Sequence, residues 1–150
     1  MSTVISIDQE AHTVGRLIEV LEHEQGCLIR MDLERMEALL QEKSTLLQNL
    51  QQLAQERYQQ LAAAGYAGNE SGMSEWLQHH GEHAVQGAWL RMQQALLKAK
   101  ELNRINGMLI GRHVARNQQL LNALQGQSEQ FYGPSGQTTV VGRLRGSVVA

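Results

Sequence analysis

Leucine returns at every eleventh position through the first third of the chain, at Leu17, Leu28, Leu39, Leu50 and Leu61, and no proline precedes Pro134. Eleven residues make three turns of about 3.67 residues each, so the five side chains stay on one face of a continuous helix. A helix from roughly Asp8 to Ala64 would be on the order of 80 Å long at about 1.5 Å per residue, more than a compact domain requires. Val14, Leu21, Met31, Met36, Leu46 and Leu53 stand beside the ladder, and the adjacent pairs Leu17 with Ile18, Leu39 with Leu40 and Leu46 with Leu47 widen the stripe. A stripe broader than a two-stranded seam predicts a rod that touches more than one neighbour.

Glycine and asparagine punctuate the rest. Gly65, Gly68, Asn69, Ser71 and Gly72 stop the first helix and make a loop. Ser74 is placed to cap a short helix running to His80, which would set Trp76 and Leu77 against the long rods, and Gly81 breaks it. A second long helix from roughly Glu82 to Leu124 follows from the spacing of Val85, Trp89, Met92, Leu96, Leu102, Ile105, Leu109, Leu120 and Leu124. Gly107 and Gly111 lie four apart in it, a spacing that suits close approach of another helix backbone. From Gly126 onward come five glycines, the only proline and scattered valines, a composition that does not hold a fixed structure alone. The fold class expected is all-α: an antiparallel hairpin of two long helices with a short intervening helix. Residues 1–125 form the helical domain and 126–150 a flexible, Gly-rich tail.

Charge is distributed rather than concentrated. The net charge of −2 gives no reason to expect nucleic acid, but residues 1–64 hold ten acids and five bases whereas residues 65–150 hold five acids and eight bases. Opposite signs favour pairing of the two helical stretches, at about 0–1 kcal/mol for each exposed pair. The lone Cys27 cannot form an internal disulfide and reads as a buried, inert thiol in a reducing compartment. Val4, Ile5 and Ile7 are too short an apolar stretch for a secretory signal, and no apolar run reaches the ~20 residues of a membrane span. The chain reads as cytoplasmic, without membrane insertion.

The residues available for chemistry fill no catalytic role. His79 and His83 are an i, i+4 pair, yet the stretch His-His-Gly-Glu-His lacks the order of a zinc protease and the four ligands of a structural site. Asp8 and Asp32 are the only aspartates, and neither has a nucleophile and base nearby in sequence. No enzyme, cofactor or metal is expected. Asn103 and Asn106 interrupt the apolar stripe of the second long helix, as a buried amide does when it fixes helix register.

Three segments together resemble the FlgN-type flagellar export chaperones. They are the acidic N-terminal helix with Lys43, Ser44, Leu46 and Leu47, the run Leu-Asn-x-x-Asn-Gly-x-Leu-Ile from Leu102 to Ile110, and Phe131-Tyr132-Gly133-Pro134-Ser135-Gly136 after the last helix. The resemblance implies a small cytoplasmic helical protein without enzymatic activity. Such a protein binds hook-filament junction proteins, keeps them unassembled and delivers them to the flagellar type III export gate. Client binding would fall on Leu120, Leu121 and Leu124 and on the tail residues Val140, Val141 and Leu144. Export-gate docking would fall on Phe131, Tyr132 and Gly133, whereas Asn103, Asn106 and Gly107 would belong to the scaffold.

That mechanism is physically simple: an apolar groove laid against a client's amphipathic helix masks it until secretion, and a tail that orders on the client permits release. Two readings compete with it. A structural coiled coil would use the same broad stripe to form a homodimer without a client. A metal-binding sensor would use His79 and His83 and would be stabilised by zinc.

Overall fold

The computed structural model describes residues 5–132, with side chains through residue 125. Four helices follow one another: α1 (Asp8–Arg30), α2 (Leu33–Ala63), α3 (Glu70–His80) and α4 (His83–Tyr132). The all-α class holds, and α2, the short α3 and α4 supply the expected hairpin with its intervening helix. The expected first rod, however, is two helices.

The break lies at Met31, whose φ of 59° and ψ of 31° place it in the left-handed region. Asp32 N donates to Cys27 O at 2.9 Å and Met31 N reaches Leu28 O at 3.4 Å, the paired closure of a Schellman motif. Glycine is the usual residue at such a position and methionine is not, so nothing in the leucine ladder announces the stop. Folding back gives the ladder a partner: Leu17 and Leu50 meet in one cluster with Leu21, Ala99, Ile18, Leu46 and Leu102. A continuous rod would have left those side chains in water, at about 1.5–3 kcal/mol for each fully buried one. Met31 is 48 % exposed, so its side chain contributes little packing. Met31→Gly is expected to raise unfolding free energy by about 1 kcal/mol. Unchanged or lower stability in a denaturant melt would contradict the strained cap.

Pairings fix the directions. Glu10 meets Arg57 and Glu24 meets Lys43, so α1 and α2 are antiparallel about the turn. Glu22 meets Lys98 and Glu24 meets Asn106, so α1 runs parallel to the first part of α4. The Glu22–Lys98 pair joins the acidic and basic halves, as the charge distribution predicts, but its side chains are 50 % and 60 % exposed and it adds little.

Between α2 and α3 the chain turns through Gly65, at φ +90°. The start of α3 differs from expectation: Asn69, not Ser74, is the cap, its side chain accepting from Gly72 N at 2.9 Å. Gly72 sits where a Cβ would come within 1.8 Å of Ala67 O, so no larger residue fits that first turn. Trp76, Leu77 and Met73 of α3 then close a core with Ile5, Ile7, Val14, Leu61 and Met92. Cys27 is a buried free thiol, in accord with its sequence reading. At the other end, α4 passes the expected stop at Leu124 and continues to Tyr132.

The chain divides into two units, residues 1–106 and 107–150, with α4 contributing to both. The cores above belong to the first unit. Among the described residues no helix is long and apolar enough to cross a membrane.

Candidate functional site

Within the first unit, the polar residues singled out in the sequence converge on a carboxylate that was not. Glu24 is fully buried on α1. Asn106 Nδ2 donates to Glu24 Oε1 at 3.0 Å and to Leu21 O at 2.9 Å. Lys43 Nζ stands 3.0 Å from Glu24 Oε2 and also donates to Asn103 Oδ1 at 3.3 Å. Lys43 from α2 and Asn106 from α4 therefore bind one acid of α1, and Asn103 of α4 holds the lysine from its other side. Since a buried charge is tolerable only when paired, this cluster admits one register of three helices.

A second buried pair lies toward α3. Arg57 Nε donates to Glu10 Oε1 at 2.8 Å and Arg57 Nη2 to Glu70 Oε1 at 3.1 Å. The guanidinium carbon lies 4.7 Å from the Trp89 ring centroid and 4.9 Å from that of Tyr58. Burial disfavours the charge on Arg57, but hydrogen bonds and attraction to Glu10 and Glu70 outweigh it and hold the group above its ordinary value. Tyr58 donates to Glu70 at 2.6 Å, and that bond, with partial burial and the Glu70 charge, raises the phenol. Its contribution to stability is therefore complete below about pH 10 and is lost as pH rises through the raised value.

Both clusters tie helices of the first unit to one another through ion pairs and hydrogen bonds. Among the described residues, no three of His, Cys, Asp or Glu are grouped to hold a metal. His79 and His80 are exposed and lie beside Tyr66, tilted at 6.3 Å and edge-on at 5.9 Å between ring centroids.

The second unit offers a surface of another kind. Leu120 and Leu124 of α4 are exposed and Leu121 is half-buried. Leu109, His113, Leu120 and Leu124 form one column at spacings of four and seven, and Ile110, Val114 and Leu121 form the adjacent column. Ile110 and Val114 are exposed as well. These two columns together make an exposed apolar face on distal α4. The expected close helix approach at Gly107 and Gly111 is absent among the described residues: a Cβ at either would meet no atom within 4 Å. Phe131 and Tyr132 fall on the last turn of α4, and their side chains are outside the described residues, as are Gly133, Val140, Val141 and Leu144 entirely.

A family model described as FlgN protein matches residues 3–139. Two relatives, each named flagella synthesis protein FlgN, come from Salmonella typhimurium and Salmonella typhi. Each is 27% identical over 137 residues, spanning 89% of this chain and 88% of its own length. No solved structure matches the chain.

Proposed function

Because the chain belongs to the FlgN family, we propose that it serves in the cytoplasm as a flagellar export chaperone, binding hook-filament junction proteins and delivering them to the type III export gate. The observation that carries the reading is the uncovered apolar face of distal α4, where Ile110, Val114, Leu120 and Leu124 are all exposed. A junction protein's amphipathic terminal helix, laid on that face, would have its assembly surface masked. The tail beyond Tyr132, with Val140, Val141 and Leu144, extends the contact, and Phe131, Tyr132 and Gly133 dock on the gate. Asn103, Asn106 and Gly107 serve the scaffold.

Titration calorimetry against the C-terminal helix of a hook-filament junction protein tests the client. Removal of residues 126–150 is expected to abolish that binding while costing only the last turns of α4 in circular dichroism. Full binding by the truncated chain would remove the tail from the client site. Tyr132→Ala is expected to keep the client and reduce export. Loss of the client in purified Tyr132→Ala would show that the two roles share one surface. Sedimentation of the chain alone and with the client separates a chaperone from a coiled-coil homodimer, because only the former forms a defined mixed complex.

A further inference from the structure

Charge on distal α4 lies along one border of its apolar face. At about 100° per residue, Leu109, Ile110, Val114, Leu120, Leu121 and Leu124 fall within an arc of about 140°. Arg112 and Arg116 follow on one side of that arc, and Gly107 and Gly111 on the other. Both arginines are exposed, and neither has an ion pair among the described residues. No Asp or Glu occurs between Glu101 and Glu129. The face thus has one cationic border, an opposite border that starts with Gly107 and Gly111 and continues with the uncharged Gln118 and Gln125, and no carboxylate of its own to satisfy the cations.

We propose that this face accepts an amphipathic helix of a partner protein whose apolar stripe is bordered on one side by Asp or Glu. Those carboxylates meet Arg112 and Arg116, each guanidinium offering a planar fork suited to two carboxylate oxygens. The opposite side of the partner helix closes over Gly107 and Gly111, where open space lets its backbone come near. One charged border and one uncharged border also dictate which way round the partner helix lies. The inference rests on distal α4 being the client site, and adds the chemistry of what that site selects.

An anionic membrane fits the face less well. Residues 107–132 hold only two arginines, whereas helices that lie in a bilayer interface use several cations. Asn117 also lies inside the arc, an exposed polar group that acyl chains would desolvate and a partner's side chains can hydrogen-bond.

The test uses the full chain and two synthetic helical peptides of about 18 residues, five turns, with the same leucine stripe. One carries glutamates on a single border and the other lysines at those places. In fluorescence anisotropy at low salt, the glutamate peptide is expected to bind and the lysine peptide to bind at least roughly tenfold more weakly. R112E/R116E should reverse that preference without changing helicity. Equal affinities, or a preference the double variant leaves intact, would overturn the proposal. So would uptake onto phosphatidylglycerol vesicles with neither peptide bound, or a self-dimer in sedimentation that occupies the face instead. A parallel titration with the junction-protein helix separates the two readings. If that helix does not bind while the peptide preference reverses as expected, the client assignment fails and the charge selectivity stands. If it binds R112E/R116E as well as the parent chain, the charge selectivity fails alone.

Discussion

Replacing Arg57 with alanine is expected to lower the unfolding free energy by about 3–5 kcal/mol, the range for removing one partner of a buried ion pair. Arg57 is 4 % exposed and Glu10 is 6 % exposed, so neither can turn to water when the other is lost. The substitution leaves the Glu10 carboxylate buried without the cation that pairs with it, deprives Glu70 of one donor and uncovers the ring faces of Trp89 and Tyr58. Since folding raises the arginine's pKa, its contribution is present at every pH below the ordinary arginine value and fades only above it. The deficit should therefore stay constant across the neutral range in chemical denaturation. A double variant, Arg57→Met with Glu10→Leu, should recover most of it, because matched apolar residues avoid the desolvation that the charges incur. A loss below about 1 kcal/mol in Arg57→Ala would mean that water reaches Glu10 and that the pair is a surface one.

That pair also shows where the sequence was readable and where it was not. The ladder from Leu17 to Leu61 marks the buried face correctly, because helical periodicity follows local geometry: Leu17, Leu28 and Leu61 are all buried. It does not reveal that the face folds onto itself, since the turn depends on a methionine in a conformation that local propensity assigns to glycine. The charged core residues were legible in principle. Glu10, Val14, Leu17, Leu21, Glu24 and Leu28 are spaced four, three, four, three and four apart, so both glutamates occupy core positions of an unbroken seam. Reading only apolar residues passes over them, and their partners Arg57 and Lys43 come from another helix, which no local pattern discloses. Asn106 was conspicuous for the same reason, a polar residue on an apolar column, but the acid it binds lies 82 positions away. Ser74 failed as a cap because Asn69 begins the helix a turn earlier, with Gly72 fitting against Ala67. The Gly107 and Gly111 spacing suits close approach of another helix, but spacing does not supply the partner: a Cβ at either would meet no atom within 4 Å among the described residues.

Leu120→Glu combined with Leu124→Glu is expected to weaken junction-protein binding by about a hundredfold or more while leaving the thermal melt unchanged. Both leucines are exposed, at 56 % and 61 %, so the fold does not need their packing, and glutamate forms helix about as well as leucine. A docked client helix does need it. Covering the exposed part of each leucine is worth about 1–2 kcal/mol, and a carboxylate in its place must also shed water, so the pair together exceeds the roughly 2.8 kcal/mol of a hundredfold change. Placement within the chain supplies the control. Ile29, Met31 and Leu33, at the turn between α1 and α2, are similarly exposed but span only two helix ends. Ile29 and Met31 begin no column, and Leu33 leads into Leu40 and Leu47 of α2, a separate face in the first unit. Ile29→Glu with Leu33→Glu should therefore keep the client. If calorimetry gave the reverse result, with the turn variant losing the client and the α4 variant retaining it, the binding face would belong to the first unit. The apolar columns of distal α4 would then have to serve something else.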